Sequence, residues 1–447
     1  MNDKNQKKLK EMQRFRLEKL NLIKEANINP YPYKFSVNAS IDDIINNADS
    51  FIDSSINIAG RIISLRKMGK STFFNLQDMN SRIQIYIKNT NLADNIYDNL
   101  IRKLDIGDIV GVSGQIFYTK TNELSIKADN VEMLSKSLRP LPNMKEKDGK
   151  IFFSFDDKEH RYRKRYLDLI INSNNKDVFI KRACIINDLR LYLNDKKFIE
   201  VETPVLQPLY GGANARPFTT FHNTLEQKLF LRIADELYLK RLIIGGFDRV
   251  YEISKNFRNE GMDKNHNPEF TMLEYYSAYS DIYDMMDLTE SMIKEISKKI
   301  VDDNSHISFK EDFSRLSFFE LLDSISGHKF SRMSKDEIHK TLQNDNVDID
   351  TKCGYGKALD KAFSHYVEPG LIKPTFVLDY PKELSPLAKI KRDGDNKLVE
   401  RFELFIDGME IANAFSELND PIDQRERLEE QSRLKDLGDE RSEEHTS

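Results

Sequence analysis

The sequence predicts an α+β protein in two parts: a small β-barrel near the N-terminus, then a larger domain with segregated strands and helices. Three observations carry this reading. Residues 51–135 hold short stretches of period-two alternation separated by turn residues, the pattern of a small barrel. Arg139-Pro140-Leu141-Pro142 then opens a polar connector running to Lys150, a domain boundary. From residue 151, helical stretches around 176–197 and 284–300 mix with strands at 217–233, 248–258, 268–277 and 398–417, without the βαβ repeat of a parallel sheet.

Composition narrows the function classes. A chain of 447 residues is expected to hold more than one domain, and a hydrophobic fraction of 39% is enough at this length for a large core. Charged residues reach 32% with a net charge of −5, so any contact with nucleic acid must come from local patches. Cys184 and Cys353, far apart, suit a reducing compartment and exclude a disulfide scaffold or a cysteine zinc site. MNDKNQKKLK lacks the apolar stretch of a signal peptide, and no apolar run approaches the roughly 20 residues of a membrane span. A cytoplasmic protein is expected.

Residues 1–50 form an N-terminal segment whose first half reads as a charged helical arm. Lys4, Lys7, Lys8, Lys10, Arg14, Arg16 and Lys19 oppose Asp3, Glu11 and Glu18, which fits either a solvated helix or a contact with a phosphate backbone. In the barrel region (51–138 with its flanks), Ile83, Ile85 and Ile87 share one face of RIQIYIK, and Arg82, Gln84, Tyr86 and Lys88 the other. Ile56, Ile58, Gly60 and Ile62 alternate likewise, as do Leu124, Ile126 and Ala128. In STFFNLQD, Phe74 and Leu76 take the apolar parity, whereas Phe73 falls with the polar Ser71, Asn75 and Gln77. Such a phenylalanine, with Gln84 and Glu123 nearby, is either an ordinary exposed side chain or a platform for a splayed-out RNA base.

Two segments of the larger domain carry chemistry. Arg249–Tyr279 reads as two strands joined by a polar loop, with Glu252, Ser254, Asn256 and Arg258 on one parity and Phe270, Met272, Glu274 and Tyr276 on the other strand. A cation, an aromatic ring and an acid on one hairpin floor suit a nucleotide. In RFELFIDGMEIANAFSELND (401–420), Asp407-Gly408 is a two-residue hairpin signal. It pairs Ile406 with Met409, Phe405 with Glu410 and Glu403 with Ala412. Glu403 and Glu410 then become diagonal neighbours about 7–8 Å apart. They are either salt-bridged to solvent-facing partners or bridged by a divalent cation such as Mg²⁺, which favours carboxylates plus substrate phosphates. Asn413 and Glu417 need a bulge or a strand end to join the same pocket. Residues 305–370 look helical and carry little recognisable chemistry.

Here the residues match a known pattern. FIEVETPVLQP (198–208) resembles motif 1 of class II aminoacyl-tRNA synthetases, and the FRNE–HNPEF–E segment (257–274) resembles their motif 2. GGANARPFTTFHN (211–223), DELYLKRL (235–242) and MEIANAFSELND (409–420) resemble the bacterial-type lysine enzymes in particular. The resemblance runs from about residue 1 to 440. It implies a five-stranded OB-fold barrel for the anticodon at 51–138 and an antiparallel-sheet catalytic domain flanked by helices at 151–440. It also implies a homodimer formed through motif 1. Arg258 would hold the α-phosphate of ATP and act in catalysis. Phe270 would stack on adenine, and Asn259, Glu260, His266 and Asn267 would line the ATP site. Gly212, Glu236, Glu274, Tyr276, Asn413 and Glu417 would surround L-lysine. Glu403 and Glu410 would bind Mg²⁺. Phe73, Gln84 and Glu123 would read the anticodon of tRNA(Lys).

The resemblance also implies rivals and departures. An aspartate or asparagine enzyme of the same class should carry a cationic amino-acid pocket, unlike Glu236, Glu274 and Glu417. A protein-lysylating paralogue would lack the barrel at 51–135. Asp235 stands where proline is expected, and Ala412 and Ala414 stand where glycine is frequent. The family continues into a glycine-rich motif 3 whose arginine clamps ATP. The sequence ends GDERSEEHTS without it, and residues 441–447 read as a non-native tail. The polypeptide as it stands is therefore expected to be truncated before motif 3 and inactive in adenylation, and a non-catalytic tRNA-binding remnant is the alternative.

Overall fold

The computed structural model describes residues 3–436, apart from 53, 80, 94, 143, 148–149, 154–156, 214, 303–304 and 351–352. The expected tail at 441–447 lies outside the described residues. The chain divides into two compact units, Met1–Ile180 and Lys181–Ser447.

In the first unit, α1 (Asp3–Glu25) and α2 (Ile41–Asn46) precede a closed barrel. Its strands are β1 (Ile56–Met68), β2 (Ser71–Gln77), β3 (Arg82–Lys88), β4 (Ile109–Tyr118) and β5 (Leu124–Ser135), with the short α3 (Ile96–Asn99) between β3 and β4. They close in the order β1-β2-β3-β5-β4, antiparallel except for the parallel pair β3–β5. Period-two alternation drives the closure: Ile83, Ile85, Ile87, Phe74 and Leu76 all point into one core with Ile56, Ile58, Val110, Val112 and Ile126.

The arm is partly a structural element of the barrel. Leu20 and Ile23 of α1 are buried. Arg16 is buried too, donating through Nη1 to the Ser137 carbonyl at 2.9 Å and through Nη2 to the Ile106 carbonyl at 2.9 Å. Lys19 pairs with Asp105. These two cations are committed internally, so a phosphate contact by the arm would fall to the others. The polar connector at 139–150 also differs from expectation. It contains β6 (Met144–Lys147), which forms a two-stranded ribbon with β7 (Lys150–Phe153). The helices α4 (Lys158–Arg163) and α5 (Arg165–Ile171) follow.

The long helix α6 (Asn175–Asp195) crosses the division between the units. The second unit then holds three sheets. One is β13-β12-β8, from β8 (Ile199–Glu200), β12 (Arg249–Phe257) and β13 (Glu269–Ser277). Another is β10-β11-β9, from β9 (Leu206–Gln207), β10 (Thr219–His222) and β11 (Gln227–Leu231). The third is β14-β15-β16-β17, from β14 (Ser314–Ser317), β15 (Thr375–Pro381), β16 (Leu398–Ile406) and β17 (Met409–Phe415). The sheets are mainly antiparallel, but β8 runs parallel to β12 and β14 parallel to β15. The stretch 305–370 is accordingly not all helical.

The helices of this unit are α7 (Glu236–Ile244), α8 (Ile282–Ile300), α9 (Phe318–Ser326), α10 (Lys335–Asn344), α11 (Tyr355–Tyr366) and α12 (Pro421–Asp436). Helix α8 starts where the Asp281 carboxylate accepts from the Tyr283 and Asp284 amides, a cap worth about 1 kcal/mol. It buries Ile282, Met286 and Met292. Helices α9, α10 and α11 bury Phe318, Leu322, Leu342 and Phe363 in one core with Val377 and Phe405 of the third sheet. That packing covers one side of the β15–β16 pair and fixes the strands that carry Glu403.

Candidate active site and RNA-binding face

The hairpin β12–β13 aligns as alternation requires. Asn256 stands opposite Phe270, Ser254 opposite Met272 and Glu252 opposite Glu274. Glu252 is not free for a ligand: it is buried and bonded by Arg232 Nη1 at 2.7 Å and by the Thr203 hydroxyl at 2.6 Å. Just past the end of β12, the Arg258 guanidinium lies 5.2 Å from the centre of the Phe270 ring. Among the described residues Arg258 makes no ion pair. Burial lowers its pKa, against the opposing fields of Glu260, Glu410 and Glu274. A desolvated, unpaired guanidinium beside an aromatic ring can hold a phosphate next to a stacked base. Asn259 and Glu260 follow on the loop. His266 and Asn267 lie on its exposed part, where His266 meets Asp263 at 2.8 Å, and among the described residues no side-chain hydrogen bond or ion pair joins them to the other site residues.

The second hairpin departs from simple register. Asp407 and Gly408, both at positive φ (56° and 69°), make the expected two-residue turn. Ile406 pairs with Met409 and Phe405 with Glu410, as expected. The register then slips between Leu404 and Phe405, so Leu404 faces Ala412 and Glu403 faces Asn413 rather than Ala412. This bulge leaves Ile411 extra and brings Glu403, Glu410 and Asn413 to one face. It supplies the irregularity that Asn413 needed.

Glu403 is not alone there. Arg401 pairs with it, and the Tyr380 hydroxyl donates to its Oε2 at 2.8 Å. Arg401 Nε also donates to Asn413 Oδ1 at 3.2 Å. Glu410 keeps an open side to solvent, which screens part of the repulsion it feels. Its carboxyl is nonetheless pushed up, by desolvation and by Glu403, with Glu368 and Asp360 adding and Arg401 opposing. Several carboxylates around a single guanidinium leave uncompensated negative charge. That fits a divalent cation completed by substrate phosphates, although no cluster of three or more metal-type side chains occurs among the described residues.

Between these hairpins lies an acidic pocket. Glu236 opens α7, and Gly212 packs against it. At φ +85° the backbone of Gly212 disfavours any side chain, and an added Cβ would come 2.9 Å from Glu236 Cβ. Glu274 is fixed by the Tyr276 hydroxyl at 2.7 Å and the Asp235 amide at 3.3 Å. Its pKa is pushed up to about 8, by burial first and then by Glu236. Glu417 is pushed up to about 7, by burial against the opposing pull of Lys240. Ionising these buried acids is costly unless a cation meets them, the chemistry of a site for an amine-bearing ligand. Asp235, where proline was expected, is buried and turned away to Ser254 and to Arg232 at 3.3 Å.

Residues singled out by neither spacing nor motif complete the picture. Lys240 bridges Glu236 and Glu417, and Phe415 lies beside it. The four-residue spacing from Glu236 to Lys240 in DELYLKRL was a legible signal. Arg401, on the same parity as Glu403, was legible too.

On the barrel, Phe73 lies on the outer face, half-buried, while Phe74 and Leu76 point inward. Cross-strand rows organise that face: Arg66, Phe73, Tyr86, Lys127 and Gln115 in one, Asn75, Gln84, Ser125 and Phe117 in the next. The Phe73 and Tyr86 rings are 4.9 Å apart, and Tyr86 and Phe117 are 6.0 Å apart. Gln84 donates to the Ser125 hydroxyl at 3.0 Å. Glu123 lies exposed in the β4–β5 turn. Tyr86 and Phe117 extend the platform expected from Phe73 alone, and the alternation of RIQIYIK placed Tyr86 there.

The antiparallel β12–β13 hairpin, the acidic pocket and the aromatic barrel face fit an aminoacyl-tRNA synthetase of the second class. Residues 157–446 match the family of tRNA synthetases class II (D, K and N), and the chain belongs to it. Residues 56–134 match the OB-fold nucleic acid binding domain family. Within the curated proteins, the chain is 46% identical to the lysine–tRNA ligase of Porphyromonas gingivalis, over 96% of this chain and 77% of that protein. It is 44% identical to that of Christiangramia forsetii over 96% and 78% of the two chains. For that of Carboxydothermus hydrogenoformans the identity is 44%, over 97% and 88%.

Proposed function

We propose that the protein is a lysine–tRNA ligase, which activates L-lysine with ATP and transfers it to tRNA(Lys). The observation that carries this reading is the excess of carboxylates at Glu236, Glu274 and Glu417, which suits the two amines of lysine. Aspartate or asparagine would leave those acids buried and unpaired, a strong basis for rejection. The similarity to lysine–tRNA ligases supports the same choice within the family.

In the first step an oxygen of the lysine carboxylate bonds to the α-phosphorus of ATP. The bond from that phosphorus to the bridging oxygen breaks, and pyrophosphate leaves with the electron pair. Arg258 neutralises charge on the α-phosphate, and Phe270 stacks on adenine, with Asn259, Glu260, His266 and Asn267 around the nucleotide. Mg²⁺ would be held by Glu403 and Glu410, where it would neutralise phosphate charge. Gly212, Tyr276 and Asn413 position the amino acid among the three acids. In the second step a ribose hydroxyl at the tRNA 3′ end attacks the activated carbonyl and AMP departs. No side-chain nucleophile is needed, so catalysis is positioning plus charge neutralisation.

Phe73, with Tyr86, Gln84 and Glu123, reads the anticodon on the barrel face. Motif 1 carries exposed Ile199, Val205 and Leu206, and exposed Leu209 follows it, an apolar surface that suits a homodimer interface. No helix among the described residues is long and apolar enough to cross a membrane. Charging assays with tRNA(Lys), tRNA(Asp) and tRNA(Asn) test the assignment. Lysine should be attached to tRNA(Lys) alone, and aspartate attached to tRNA(Asp) would overturn the reading.

A further inference from the structure

We propose that Lys240 is a positioning residue of the amino-acid pocket: its ammonium bridges Glu236 and Glu417, stays in place when lysine binds, and supplies the cation that the two ligand amines complete. The inference rests on the lysine reading above and goes beyond it.

The geometry is specific. Lys240 Nζ lies 2.5 Å from Glu236 Oε1 and 2.8 Å from Glu417 Oε2. Its side chain is only 21% exposed. The ammonium is 5.4 Å from the centre of the Phe415 ring and 6.0 Å from that of Tyr276, so both rings face it as cation–π partners. Glu236 is one helical turn back on α7, whereas Glu417 follows β17, so this one cation ties two separate parts of the unit together. Burial opposes the charge on Lys240, but Glu236 and Glu417 outweigh it and raise its pKa. The ammonium stays charged.

Two readings of such a cation are possible. It either fills the pocket until the ligand expels it, or it remains as part of the wall. The charge balance favours the wall. Three carboxylates, Glu236, Glu274 and Glu417, face the pocket, while Asp235 is taken by Arg232 and Ser254. With Lys240 in place, Glu274 and Glu417 are still raised, by burial first, so their ionised forms need further cations beside them. Lysine brings two ammonium groups. Those two and Lys240 equal the three pocket carboxylates in number, the ligand's own carboxylate being aimed at the α-phosphorus, whereas expelling Lys240 would leave one buried acid unmatched.

The test is ATP–pyrophosphate exchange with protein expressed from its whole gene, as wild type, K240Q and K240R, reading the KM for lysine and the KM for ATP separately. A retained wall cation predicts that K240Q raises the lysine KM about tenfold or more while the ATP KM stays within about twofold. K240R, which keeps a charge, should stay within about threefold of wild type for lysine. A lower lysine KM in K240Q would mean an expelled occupant and would overturn the proposal. So would equal losses in K240Q and K240R, or parallel changes in both KM values. If K240Q does not fold, K240R decides, and a loss of about tenfold or more in it is contrary. Absence of lysine-dependent exchange in the wild-type protein would instead remove the lysine reading itself.

Discussion

Glu403 stands opposite Asn413 in the β16–β17 ladder, one residue beyond the partner that the Asp407-Gly408 turn alone dictates. The slip keeps Glu403 and Glu410 as diagonal neighbours and adds Asn413 to their face. With like charges on one face and Arg401 already paired, a divalent cation would relieve the repulsion that, after burial, raises the Glu410 carboxyl. Glu403→Gln and Glu410→Gln are each expected to raise the Mg²⁺ concentration needed for half-maximal pyrophosphate exchange. Unchanged Mg²⁺ titrations in both variants would mean that Arg401 alone balances the pair.

The aromatic row on the barrel makes a separable prediction. Phe73→Ala and Tyr86→Ala should each weaken charging of tRNA(Lys), because one stacked base is worth about 1–3 kcal/mol. Lysyl-adenylate formation should be nearly intact in both, since it uses the other unit. A comparable fall in adenylation would mark these rings as structural.

The raised carboxyls give a pH dependence whose sign can be worked out. Glu417 (about 7) and Glu274 (about 8) titrate above the ordinary carboxylate value, so the folded, ligand-free protein holds protons that the unfolded chain has lost. Through these two groups, stability falls as pH rises from about 4.5 toward 8. Lysine binds the ionised forms, so its affinity and its stabilising effect on Tm should grow over the same interval. Thermal melts with and without lysine across that range check this. A lysine effect that shrinks with rising pH would contradict it.

Gly212→Ala should raise the lysine KM with a much smaller change in the KM for ATP. The new Cβ meets Glu236 at 2.9 Å on a backbone with φ +85°, so Glu236 must move. Equal changes in both KM values would show that the strain spreads beyond the pocket.

Much of this was legible in the sequence, for physical reasons. Alternation is local, so RIQIYIK and STFFNLQD placed the isoleucines, Phe74 and Leu76 inward and Phe73, Gln84 and Tyr86 outward on β2 and β3. The Asp407-Gly408 turn likewise fixed the first two pairs of its hairpin. Beyond them the register slips between Leu404 and Phe405, which the alternation of the segment does not encode. The internal role of Arg16 depends on carbonyls some 90 to 121 residues away, and no spacing rule reaches that far. Lys240 was visible as a helical neighbour of Glu236, but its second partner, Glu417, comes from tertiary contact. The acids were legible as ligands for amines, and their counter-cation was not.

The central claim is that the acidic pocket selects lysine. The most direct measurement is ATP–pyrophosphate exchange by protein expressed from its whole gene, with lysine, aspartate and asparagine supplied one at a time. The account predicts exchange with lysine and none above background with the other two. Exchange with aspartate or asparagine equal to that with lysine would contradict it.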